Sequence, residues 1–144
     1  MSLTSSMRIS ASSLTAQRLR MDVVASNLAN VSTTRTPEGG PYRRREVVLG
    51  AAYSPNRGVI PVGGRSVSPI GVRVLGITDH EQIRLVSDPS HPDADENGDV
   101  AYPDIDLVHE MGNMLSAVRA YEASVTAINA AKNMAQKALE LGRV

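Results

Sequence analysis

Residues 106–141 read DLVHEMGNMLSAVRAYEASVTAINAAKNMAQKALEL, with no proline and one glycine, Gly112. Leu107, Met111, Met114, Val118, Tyr121, Val125 and Ile128 recur there at steps of four and three, followed after a break at Lys132 by Ala135 and Leu139. That spacing is an a/d seam, the mark of a helix that packs lengthwise on another helix. At about 1.5 Å per residue the stretch makes a rod of roughly 54 Å. Such a helix outruns the core of one small domain and needs a companion along most of its length.

The companion is found at the other end of the chain. Met7, Leu14, Met21 and Leu28 repeat every seven residues, with Leu3, Ala11 and Ala25 beside them and Val24 and Val31 widening the stripe. This predicts a second long helix over residues 5–30. Thr4, Ser5, Ser6, Ser10, Ser12, Ser13 and Thr15 crowd its first turns. They are mediocre helix formers, so this end should fray when alone. Arg18, Arg20 and Asp22 interrupt the stripe with charge, and the polar run from Asn30 to Thr34 ends it.

Between the two ends the composition changes. All eight prolines lie between residues 37 and 103, and nine of the eleven glycines between 39 and 98. Short extended pieces and turns are expected there. Residues 42–49 read as a strand. Residues 72–77 and 82–86, rich in branched side chains, read as two strands joined in a hairpin by residues 78–81. Residues 50–69 read as a mobile loop, and 87–104 as an extended, turn-rich connector. Asp104 or Asp106 is placed to cap the last helix, and Gly142 to end it as a C′ residue with Arg143 beside it. The chain thus divides into an N-terminal helix (1–34), a β and loop region with its connector (35–104) and a C-terminal helix (105–144). The expected fold is mainly α with a small β region, its terminal helices paired as a coiled-coil hairpin.

Charge and composition restrict function. Fifteen basic and fifteen acidic residues balance, which argues against nucleic acid or a membrane surface held by bulk charge. Aromatics are 3%, all Tyr, so aliphatic side chains must fill the core. With no cysteine, disulfides, thiol nucleophiles and Cys-ligated metals are excluded. No secretory signal peptide is visible, and no run is long enough to span a bilayer.

One candidate ligand site stands out. Asp93-Ala94-Asp95-Glu96-Asn97-Gly98 matches the opening of an EF-hand loop, with Asp93, Asp95 and Asn97 as calcium ligands. Against it, position twelve is Asp104 instead of Glu, and Pro92 and Pro103 bracket the loop where a helix should enter. A polar turn with Asn97-Gly98 at its tip explains the same residues. Arg43-Arg44-Arg45 fits phosphate or an acidic partner, or with Glu46 a solvated strand or an intersubunit ion-pair surface, and no aromatics interleave it as nucleic-acid binding would ask. His80, His91 and His109 have no ligand spacing, and no nucleophile motif or phosphate loop is present. No small-molecule substrate and no cofactor is therefore expected.

Each terminal helix has one clear apolar stripe, and the C-terminal one adds eight alanines between 117 and 138, spread around its circumference. Small side chains let helices approach closely on more than one face. A lone hairpin would leave those faces wet, whereas a lattice of copies would cover them, and an open head-to-tail contact builds a helical tube. The alternative is a monomeric hairpin capped by the β region.

Residues 16–31, AQRLRMDVVASNLANV, resemble the N-terminal signature of bacterial flagellar rod and hook proteins, with Ser26 where the signature has Asn. Residues 36–42, 71–79 and 88–95, with Tyr121-Glu122-Ala123 and Asn129-Ala130-Ala131-Lys132, narrow the resemblance to the proximal rod. The resemblance implies a non-enzymatic subunit of the basal body whose terminal helices form an inner tube. It also implies export unfolded through the type III apparatus without a cleaved signal. Assembly in the periplasm with copies of itself, with proximal and distal rod subunits and with the MS-ring adaptor follows, as does transmission of torque to the hook. On this reading the Asp93 loop is an ordered connector against neighbouring subunits. The expected assembly residues are Leu14, Met21, Val24, Leu28, Val118, Tyr121, Val125 and Ile128, with Asn27 and Asn30 holding backbone or neighbour contacts. Until neighbours cover its stripes, the isolated chain should carry less helix than its periodicity allows.

Overall fold

A computed structural model describes residues 3–54, 60–62 and 65–142. Two helices, α1 (Leu3–Ala29) and α2 (Leu107–Leu141), enclose five strands in the chain: β1 (Arg44–Ser54), β2 (Ile60–Val62), β3 (Arg65–His80), β4 (Ile83–Ser87) and β5 (Asp99–Pro103).

The helices lie side by side and antiparallel. Asn27 of α1 meets Glu110 near the start of α2, Arg20 meets Asn113, and Ser13 meets Ser124. Each step along α1 is thus matched by about one step back along α2. Carried on, this brings Leu3 level with Met134, so the last turns of α2 overhang the described start of α1. Residues 136–142 are all exposed. Asp106 caps α2, its Oδ1 accepting the N–H groups of Val108 and His109 at 2.9 and 3.3 Å. Gly142 closes the helix with φ of −84°, its N–H reaching the Ala138 carbonyl. Arg143 lies outside the described residues.

The face that α2 turns inward differs from the seam read in its sequence. The buried positions are Glu110, Ala117 and Ala131. With half-buried Ser124 they form a column at seven-residue spacing, made of small or polar side chains. Leu107 and Met111, which open the expected seam, are 49% and 58% exposed, and Leu139 is 71% exposed. Small residues win the inner position because they let the two backbones close up. The larger apolar side chains are left on the flanks and the outside.

The β region also departs from expectation. Residues 72–77 and 82–86 do not pair with each other. β3 pairs antiparallel with β1 from Arg44–His80 to Ser54–Ser68, and β4 pairs with β5 from Ile83–Pro103 to Ser87–Asp99. The β1–β3 ladder shifts register between Val48 and Leu49 and between Ala52 and Tyr53. Much of the expected loop 50–69 is strand, because β1 runs to Ser54, β3 starts at Arg65 and β2 pairs with residues 65–67. Residues 55–59 and 63–64 lie outside the described residues. The connector contains β5, whose Val100 and Pro103 are buried.

Candidate functional site

The buried polar residues, Asn27 and Glu110, sit together where α1, α2 and the base of the β1–β3 hairpin converge. Asn27 is fully buried. Its Nδ2 donates to the Arg45 carbonyl at 2.8 Å, and its Oδ1 accepts the Arg45 N–H at 3.0 Å. The amide thereby takes the place of a neighbouring strand on the open edge of β1. Nδ2 also donates to Glu110 Oε2 at 3.1 Å, and Tyr42 Oη donates to Asn27 Oδ1 at 3.1 Å.

Glu110 is 1% exposed and would be costly as a lone charge. Its Oε1 accepts Arg44 Nε at 2.9 Å and Nη2 at 2.8 Å. Arg44 also reaches Glu46 at 3.3 Å, and Glu46 meets His80 Nε2 at 3.0 Å. Burial works against the Arg44 charge, yet the bonds and attraction of Glu110 and Glu46 outweigh it and raise its pKa. The His80 hydrogen bond leads in holding the Glu46 carboxyl below its ordinary range, with Arg44 adding to it. The result is a joint in which three segments distant in the chain share one satisfied hydrogen-bond network. A cleft of about 180 Å³ borders it, lined by Arg20, Val23, Val24, Val47 and Asn113 among others.

Of the expected assembly residues, Val24 and Asn27 are buried, while Leu14, Met21, Leu28, Asn30, Val118, Tyr121, Val125 and Ile128 are half-buried. Asn30 closes the end of α1, donating to the Ser26 carbonyl at 2.9 Å and accepting from Thr33 Oγ1 at 3.1 Å. Ser26 shares a hydrogen bond of 3.1 Å with Tyr42 Oη, so the residue departing from the family signature joins the same network. Glu110 and Tyr42 are members of the joint that the sequence does not single out, and Arg44, one of the clustered arginines, finds its acidic partner inside the chain.

The arginine cluster is consumed within the chain. Arg43 pairs with Glu81 at 3.2 Å, Arg44 with Glu110, and Arg45 with Asp79 at 3.4 Å. The residues of the calcium-like loop are likewise committed. Asp93 Oδ2 accepts from Thr34 Oγ1 at 2.8 Å, and Asp95 Oδ1 accepts the N–H groups of Asn97 and Asp99 at 2.8 and 2.9 Å. Gly98 supplies the positive φ of 82° that the turn requires. Among the described residues, no three His, Asp or Glu side chains converge as a metal site. The loop is an ordered turn tied to the segment after α1. His91 packs edge-on to Tyr102, His80 serves Glu46 and His109 is exposed, so the histidines are dispersed.

The outer face of α2 is open. Leu107, Val108, Met111 and Leu115 are 49–78% exposed and fall within two turns of one side. Single exposed apolar residues are ordinary, but a contiguous stripe on a long helix marks an interaction surface. None of the helices among the described residues is long and apolar enough to cross a membrane.

Comparison with known proteins identifies the setting. Residues 7–35 match the family described as flagella basal body rod protein, and residues 97–141 match the C-terminal family of the flagellar basal body rod FlgEFG proteins. The flagellar basal-body rod protein FlgC of Borreliella burgdorferi is 44% identical over 98% of both chains. That of Bacillus subtilis is 46% identical over 96% of this chain and 97% of its own. That of Salmonella typhimurium is 38% identical over 94% of each.

Proposed function

The chain belongs to the FlgC family of flagellar basal-body rod proteins, and on that premise we propose that it is a structural subunit of the proximal rod. It polymerises with copies of itself and other rod proteins into the helical shaft that carries motor torque to the hook. The observation that carries this reading beyond the relatives' names is the outward apolar stripe of α2. At roughly 25 cal/mol per Å² of apolar surface, covering four such side chains yields several kcal/mol, enough to favour a neighbour over water. Residues 1–34 and 105–144 supply the inner helical layer, and residues 35–104 project from it. The half-buried side chains, Leu14, Met21, Val118, Tyr121, Val125 and Ile128 among them, border the inner seam and complete their burial against other subunits.

The subunit acts by contact, without catalysis. Its partners are the other proximal and distal rod proteins and the MS-ring adaptor, reached in the periplasm after passage through the type III export apparatus. Met111→Asp tests the reading. The variant subunit should be made and folded, yet absent from purified basal bodies, and cells carrying it should not swim. Normal incorporation would contradict the assignment of this face.

A further inference from the structure

We propose that Ser12 and Asn27 are positioning residues that staple the β1–β3 hairpin to α1 at two points on opposite edges, and so fix the direction in which the hairpin leaves the helix pair. Asn27 grips β1 through both backbone groups of Arg45. In an extended strand both groups of one residue point the same way, and among the described residues β1 has β3 as its only neighbouring strand. Asn27 therefore holds the β1 edge that faces away from β3.

Ser12 holds the other edge. Its hydroxyl donates to the Ile9 carbonyl at 2.7 Å, which turns an oxygen lone pair outward, and the Val72 N–H donates to that oxygen at 2.9 Å. Among the described residues β2 pairs with residues 65–67, and the Val72 N–H goes to Ser12 instead of to a strand. Gly71 makes the approach possible. A Cβ at that position would stand 2.5 Å from Ser12 Oγ and 3.1 Å from Ser12 Cβ.

The spacing of the two grips agrees on both elements. From Ser12 to Asn27 the helix rises about 22 Å at 1.5 Å per residue. From Arg45 to Ala51, the ladder partner of Val72, the strand runs about 20 Å at 3.4 Å per residue. The helix thus crosses the hairpin from edge to edge. One grip would leave a hinge, whereas two on opposite edges remove the swing. Because the hairpin carries exposed Val48, Tyr53, Leu75 and Ile77, its direction decides which neighbour meets those side chains. That consequence rests on the proposed role in the rod, but the staple itself does not.

The cysteine-free chain allows a clean test on the isolated full-length subunit. Spin labels at Tyr53→Cys on the hairpin and Ala123→Cys on α2 report the hairpin's direction as a distance distribution. A single narrow distribution is expected. Ser12→Ala should widen it at least twofold, and Gly71→Ala should do the same through a different residue. Hydrogen exchange at Arg45, the far grip, and the helical circular dichroism should stay unchanged. An unaltered width in both variants would overturn the staple, as would loss of α1 and α2 as a whole, since the staple sets a direction and does not make the fold. A widened distribution in subunits that still build motile flagella would leave the staple standing and remove its part in assembly.

Discussion

Asn27 holds Arg45 by both of its backbone groups, at 3.0 Å through the N–H and 2.8 Å through the carbonyl, with the amide wholly out of water. Removing it with Asn27→Ala orphans those two groups and breaks the bonds to Glu110 and Tyr42 at once. Each unmet buried group costs about 1–3 kcal/mol, so a loss of about 3 kcal/mol is expected in urea unfolding of the isolated subunit. A change below 1 kcal/mol would mean that water or a shifted strand replaces the amide.

The Arg44–Glu110 pair should respond differently to single and double substitution. Glu110→Ala leaves the half-buried Arg44 without its main partner, and breaking a buried pair costs about 3–5 kcal/mol. Replacing both partners by apolar residues of similar size, Arg44→Met with Glu110→Leu, should recover most of that loss. A double variant as unstable as the single one would show that the remaining members, Asn27 and Asn113, need the carboxylate as an acceptor.

The inner and outer faces of α2 predict opposite responses. Ala117 is fully buried, and Ala117→Leu should cost about 1–3 kcal/mol by forcing the helices apart. Leu115 is 59% exposed, so Leu115→Ala should change the stability of the isolated subunit by less than about 0.5 kcal/mol. Thermal melts of the two variants decide the point. A reversed order would contradict the small-residue inner face of α2.

Acid should loosen the connector before the helices. The Asp99 N–H, then that of Asn97, bonds the Asp95 carboxylate and holds its pKa below the ordinary value. A group depressed on folding contributes stability above its unfolded pKa of about 3.9 and loses it as pH falls through the lower folded value. The Asp99 amide resonance should therefore hold steady from neutral pH to about 4 and move only below it. Asp95→Ala should abolish the movement. A titration at or above the ordinary value would contradict the turn.

The overhang of α2 sets where the free subunit is least ordered. Residues 136–141 have no described part of α1 beside them, and Leu139 and Leu141 are exposed. Amide exchange there should approach that of an unfolded chain, while Ala117 and Ala131 stay protected. Uniform protection along α2 would show that the helix needs no neighbour.

The two helices were legible because long periodic runs without proline admit few other readings. Their contact face was not, because weighting by hydrophobicity favours Leu107 and Met111 over Ala117, Ser124 and Ala131. Close approach rewards small side chains instead. Glu110 left a trace, since it is the only acid between Asp106 and Glu122 and stands seven residues before Ala117. Arg44 stood out as one of three clustered arginines suited to an ion pair, but neither it nor Tyr42 disclosed its partner, because those partners lie far away in the chain. The strand pairing failed for a related reason. Residues 78–81 look like a turn between neighbours, but β3 continues to His80 to pair with Arg44, and β4 finds its partner across the Asp93–Gly98 turn.

The most direct measurement concerns Leu115. In a chain without native cysteine, Leu115→Cys offers one thiol on the outer face of α2. A maleimide should label it readily in the isolated subunit and hardly at all in intact basal bodies, where a neighbour covers it. Equal labelling in both would contradict the claim that this face is built for assembly.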